Sequence, residues 1–191
     1  MNDGERRLQE RLGTTERADD FYERQVLDHL NEPMRAFVVR QEMMFVATSD
    51  ARGECDNTFR AGPPGFVRVL DDRRITWPEY RGNGVMASLG NITENPHVGL
   101  VFIDFAERIG LHVNGHAELV EDLGLPEDPV PGRRAQLWVV ARVEEAYIHC
   151  AKHIPRLLKV PRQRGHHTDE AQAKKSDYFA VRRTGQGAPA V

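Results

Sequence analysis

This chain of 191 residues has little that points to a partner. Its two cysteines, Cys55 and Cys150, are too few for a disulfide framework. Lysine and arginine total 26 against 29 aspartates and glutamates, and the formal net charge of −3 supplies no field of one sign to hold a polyanion. The longest apolar run, residues 98–103, is far shorter than the roughly 20 residues that span a bilayer. The opening Met-Asn-Asp-Gly-Glu-Arg-Arg carries charge where a secretory segment has an apolar core. These absences exclude a helical membrane protein, argue against nucleic acid as the partner, and lead us to expect a cytoplasmic chain. Aromatic residues are only 7%, yet 40% hydrophobic and 29% charged residues suit one sizeable core beneath a well-solvated surface.

The apolar pattern changes period along the chain. Leu8, Leu12, Phe21, Tyr22, Val26, Leu27 and Leu30 recur at helical intervals, predicting two short amphipathic helices broken near Gly13 and Pro33. From Met43 the pattern is β-like. Strands are expected at 43–48, 66–70 and 74–77, with a turn-rich stretch at 49–65, a tight hairpin at Asp71-Asp72-Arg73 and a stop at Pro78. Arg81-Gly82-Asn83-Gly84 then opens a helix with Asn83 as N-cap, apolar positions at Val85, Met86, Leu89 and Ile92, and a stop at Asn95-Pro96. Strands at 98–105, 111–119 and 136–143, the last extending towards 148, flank a Pro- and Gly-rich loop at 122–133. This order predicts a mainly β fold, an antiparallel and nearly closed barrel with flanking helices. It divides into a helical segment at 1–34, the barrel at 35–150, and a basic arm with a flexible tail at 151–191. In the arm, Lys152, Arg156, Lys159, Arg162 and Arg164 occur with no acid before Asp169.

The most informative segment is the strand end Ile75-Thr76-Trp77 followed by a glycine-rich turn into a helix. Such a junction presents unpaired N–H groups and the positive end of the helix dipole, which suit a phosphate, and Arg81 and Ser88 add donors. A dinucleotide fingerprint fails here, because Gly84 and Gly90 are separated by five residues where that motif has two. Histidines are numerous, but His112 and His116 on one strand lie roughly 13 Å apart and cannot share a zinc ion. His149, Cys150 and His153 lack a fourth ligand, so no metal site is predicted. Cys55 reads as a loop cysteine, and the basic arm lacks the aromatics that stack on bases.

Several segments in order carry a family resemblance: Gly62-Pro63-Pro64-Gly65-Phe66-Val67-Arg68-Val69, Arg81-Gly82-Asn83-Gly84, Asn95-Pro96-His97-Val98-Gly99-Leu100-Val101-Phe102 and His112-Val113-Asn114-Gly115-His116-Ala117. Over 35–150 the chain resembles the pyridoxamine 5′-phosphate oxidase-like family of flavin-binding split β-barrels. The resemblance implies a homodimer with FMN at the subunit interface. It implies that Arg81, Asn83 and Ser88 meet the FMN phosphate, and that Phe66, Val67, Arg68, Val69, Thr76, Trp77 and Pro78 line the flavin. The helix opens Asn83-Gly84-Val85-Met86, without the Ser-Arg-Lys cluster of vitamin B6 phosphate oxidases, which points to a flavin-binding subfamily with another small-molecule substrate. No catalytic residue is assigned; His149 is the one candidate acid. The expected activity is an FMN-dependent oxidoreductase. The alternative is a carrier of flavin, deazaflavin or haem, with His149 or His153 as first haem ligand, and a third reading is a dimeric interaction module using the basic arm.

Overall fold

The computed structural model describes residues 2–160 except 81, 83, 126, 127 and 131. The described residues up to Leu157 form one compact unit. Three helices, not two, precede the sheet. Helix α1 (Asp3–Leu12) begins with a reciprocal Asn2–Glu5 capping box and ends at Gly13, whose φ of 65° is the left-handed conformation glycine adopts without penalty. Helix α2 (Thr15–Gln25) is tied to α1 by Arg6–Asp19 at 2.7 Å and by Tyr22 donating to Glu5 at 3.1 Å. Neither helix has a buried residue, and the Phe21 ring meets the Tyr147 ring edge-on. The expected break at Pro33 is instead the start of α3 (Glu32–Val39). Proline in a first helical turn forfeits no hydrogen bond, and Asn31 caps Met34 N–H at 3.0 Å. Phe37 and Val38 of α3 enter the core.

Seven antiparallel strands follow, with α4 (Ala87–Glu94) among them: β1 (Met43–Ser49), β2 (Cys55–Ala61), β3 (Arg68–Val69), β4 (Arg74–Glu79), β5 (His97–Asp104), β6 (Ile109–Val120) and β7 (Leu137–His149). Their order in the sheet is β2-β1-β5-β6-β7-β4-β3, the split barrel expected from the sequence. Three local expectations are corrected. The stretch at 49–65 contains β2, which pairs with β1 along its whole length; as a sheet edge it alternates exposed and half-buried positions and shows no apolar run. The strand expected at 66–70 shrinks to the two residues of β3. Strand β4 passes through Pro78, which pairs with Trp138, because β3 reaches only Thr76 and leaves Pro78 no second neighbour to donate to.

Met44, Val46, Ile75, Trp77, Leu100, Phe102, Val113, Val139 and Val143 fill the interior. Burying each such side chain contributes about 1.5–3 kcal/mol relative to exposure. Helix α4 is fixed to β1 by Asn91 donating to Thr48 at 3.0 Å and Asn95 donating to Ser49 at 2.8 Å, while its Leu89 and Ile92 join the core. No helix among the described residues is long and apolar enough to cross a membrane.

Strands β6 and β7 slip register between Asn114 and Gly115, so that Asn114 pairs with Glu145 and Gly115 with Val143, leaving Glu144 unpaired on a bulge. A Cβ on Gly115 would lie 1.9 Å from the Arg142 carbonyl oxygen. Gly115→Ala therefore forces the backbone apart; the expected loss is about 2–3 kcal/mol, read as a lower melting temperature by circular dichroism.

Further along the same strands His112 Nε2 and His149 Nδ1 are 2.7 Å apart, and the His112 ring stacks on Tyr147. Burial, with a smaller contribution from His149, holds the His112 pKa below its ordinary 6.5. The unfolded chain therefore binds that proton more tightly. The contribution of neutral His112 is complete above pH 6.5 and is lost as pH falls below it. Urea denaturation between pH 7.5 and 5.5 should show stability falling with acidification, and His112→Phe should reduce that slope.

Candidate functional site

A cleft of about 550 Å³ opens between β2, the end of β4 and the start of α4. Its size falls in the range of small-molecule sites. Arg60 of β2 organises its polar side. Nε donates to Glu79 at 2.7 Å, Nη1 to Thr58 Oγ1 at 2.7 Å and to the Phe59 carbonyl at 3.3 Å, and Nη2 to Ser88 Oγ at 2.9 Å. These bonds leave one of the five guanidinium hydrogens for a ligand. Glu79, with its side chain 12% exposed, also accepts the Trp77 indole N–H at 3.0 Å. The carboxylate thus ties Arg60 to the core and sets the guanidinium plane, which places the Nη2 edge against α4.

Ser88 is 6% exposed and sits in the first turn of α4. Asn83, the expected cap, lies outside the described residues; the N-cap position is Met86, at a left-handed φ of 56°, with no side-chain cap hydrogen bond. That conformation costs a methionine about 1–2 kcal/mol and marks a strained entry to the helix. The uncapped N–H groups and the positive dipole end therefore adjoin Arg60 and the Ser88 hydroxyl, a donor set suited to an anion. Phe66, Pro78, Val85 and Leu89 supply the apolar part of the lining.

The opposite lip is held by Tyr80, whose hydroxyl donates to Asp128 while Arg133 lies over its ring at 5.4 Å. Burial, then the bond to Asp128, pushes the Tyr80 pKa well up, so it stays a phenol. Burial alone would raise the Asp128 carboxyl, but donors from Tyr80, Val130 and Ala135 together hold it below its ordinary value. The loop after β6 is thereby pinned beside the cleft.

Of the residues expected at a cofactor, Phe66, Pro78 and Ser88 come together in this lining. Val67, Thr76 and Trp77 are closed into the interior, Thr76 donating to the Val139 carbonyl at 2.8 Å. Val69 packs on the core edge, and Arg68 lies over the Trp138 ring at 5.6 Å. Arg81 and Asn83 lie outside the described residues. His149 is at the far end of β7 from Leu137, the partner of Glu79, roughly 40 Å of extended strand away. It does not line the cleft. His149, Cys150 and His153 do not converge on a common point among the described residues. Sequence reasoning missed Arg60, Glu79, Tyr80 and Asp128. Arg60 was hidden by reading its strand as turns, and only the β1–β2 register reveals that it faces the cleft.

A sequence profile of pyridoxamine 5′-phosphate oxidase matches residues 30–150. No curated protein matches the chain. Among solved structures, HupZ of Group A Streptococcus is 22% identical over 62% of this chain and 93% of its own, with a TM-score of 0.45. A candidate pyridoxamine 5′-phosphate oxidase of Lactobacillus delbrueckii is 24% identical over 63% and 95%, at 0.47. An FMN-binding protein of Syntrophomonas wolfei is 14% identical over 65% and 85%, at 0.44. Likeness at this level does not transfer a ligand. The profile match spans the whole barrel and the cleft, and on it the chain belongs to the pyridoxamine 5′-phosphate oxidase family.

Proposed function

We propose that this protein binds FMN in the cleft and acts as a flavin-dependent oxidoreductase on a small molecule, as a cytoplasmic homodimer. One observation carries the reading: a buried serine on an uncapped helix N-terminus, bonded by an arginine, at the edge of a half-apolar cleft of about 550 Å³. The donors suit a phosphate monoester and the apolar lining suits a flat ring. A bound flavin would supply hydride or electron transfer. The chain's own part is to hold and orient: Arg60 and Ser88 fix the anionic end, Glu79 keeps Arg60 in place, and Phe66 and Pro78 exclude water from the ring. In a homodimer, His149 of a second copy would be the group to examine as a proton donor.

The phosphate reading separates FMN from riboflavin. The purified protein should bind FMN at micromolar concentration with flavin fluorescence quenched, and bind riboflavin at least tenfold more weakly, about 1.4 kcal/mol. Arg60→Lys keeps the charge but loses the planar fork that reaches Glu79, Thr58 and Ser88 together. It should erase most of that preference while leaving riboflavin affinity unchanged. Equal affinity for both ligands in the parent protein would overturn the reading.

A carrier of flavin, deazaflavin or haem on the same fold has one observation in its favour. His149 Nδ1 is hydrogen-bonded to His112 Nε2 at 2.7 Å, the way a partner on the far ring nitrogen orients a metal-binding imidazole. If haem is the ligand, titration should give a Soret band that His149→Ala abolishes; under the flavin reading no such band forms, and FMN binding survives that substitution.

A further inference from the structure

A second cluster lies on the outward face of β5, β6 and β7, away from the residues that line the cleft. His97 and His116 are register partners on neighbouring strands, so their side chains emerge side by side. Their Nε2 atoms are 3.3 Å apart. Two nitrogens each about 2.05 Å from a tetrahedral zinc ion are separated by roughly 3.3–3.4 Å, so the pair already has the edge length of such a site. On its other side His116 presents Nδ1 to Glu144 Oε1 at 2.7 Å. With Nδ1–H donated to the carboxylate, Nε2 carries the lone pair, the arrangement in which a carboxylate orients a metal-binding imidazole.

The fold builds this geometry on purpose-shaped backbone. Glu144 is the unpaired residue of the β6–β7 bulge, which turns both Glu144 and Glu145 outward where a regular strand would turn one in. The bulge in turn needs Gly115, the residue before His116, since any Cβ there meets the Arg142 carbonyl. His97 is held from behind by Asn95, whose side chain accepts its N–H at 3.3 Å, and by Ala117 N–H donating to the Pro96 carbonyl at 2.8 Å. Among the described residues, His97, His116 and Glu144 are the one group of three metal-ligating side chains that converge, with ligand atoms within 4.8 Å of one another.

We propose that His97, His116 and Glu144 form a surface site for a borderline divalent transition-metal ion such as zinc, ligated by the two Nε2 atoms, with Glu144 fixing His116 and water completing the shell. Imidazole pairs select this class of ion over calcium or magnesium, which take oxygen ligands. No metal site was expected from His112 with His116, which sit on one strand, or from His149, Cys150 and His153, which lack a fourth ligand. The productive partner stands across the β5–β6 hairpin.

The test is titration of the full chain with zinc chloride in a non-chelating buffer, followed by calorimetry and by the imidazole NMR signals of His97 and His116. We expect a micromolar site that shifts both rings. His97→Ala and His116→Ala should each weaken it at least tenfold, and Glu144→Gln should weaken it tenfold or more. His112→Ala should leave it within twofold. His97 and Glu144 are exposed, so circular dichroism of their variants should match the parent. Zinc affinity unchanged in His97→Ala and His116→Ala, or no uptake below about 100 µM metal, overturns the site. An unchanged affinity in Glu144→Gln alone overturns the orienting role assigned to Glu144.

Discussion

The pair between Arg60 and Glu79 is the constraint on which the cleft depends. The two residues belong to strands near opposite ends of the sheet order, and their bond closes across the split that backbone hydrogen bonds do not bridge. With side chains 22% and 12% exposed, the pair has lost much of its water, and breaking it by removing one partner leaves a poorly solvated charge. Such a pair contributes little net stability, but it fixes geometry. The Trp77 indole holds Glu79, Glu79 holds Arg60, and Arg60 holds the Ser88 hydroxyl at the mouth of α4. The core is thereby connected to the edge of the cleft at α4 through three consecutive hydrogen bonds.

The helix start contributes the other half. Helices α1 and α3 satisfy first-turn N–H groups through the side chains of Asn2 and Asn31, whereas the N-cap residues of α2 and α4 make no such bond. What distinguishes α4 is its entry residue, Met86, which occupies a left-handed conformation where Thr14 of α2 does not. A left-handed entry residue and first-turn N–H groups without a side-chain cap, beside Arg60, leave donors open to the cleft. The same division runs through the sheet. Its inward face is a close-packed hydrocarbon core, while its outward face on β5 to β7 carries His97, His112, His116, Glu144 and Tyr147 in paired contacts.

Much of the fold was legible because period is a local property. Leu111, Val113, Gly115 and Ala117 alternate with His112, Asn114 and His116, and β6 buries the first set and half-exposes the second. The stop at Asn95-Pro96 and the hairpin at Asp71-Asp72-Arg73 also follow from local chemistry. What could not be read locally was pairing. Strand β2 carries no apolar alternation because it is an edge, and Pro78 sits inside a strand only because its other neighbour ends early. The site suffered most from this. Ser88 was legible in the chemistry of the turn into α4, and Phe66 and Pro78 through the family pattern, whereas Arg60 required the β1–β2 register and the His97–His116 pair required the β5–β6 register.

A crystal structure of the protein grown with FMN tests the central claim most directly. The phosphate should lie at the first turn of α4, within hydrogen-bond distance of Ser88 Oγ and an Nη2 hydrogen of Arg60, with the Arg60–Glu79 pair intact. A phosphate held elsewhere, or bound only after Arg60 has left Glu79, contradicts that claim.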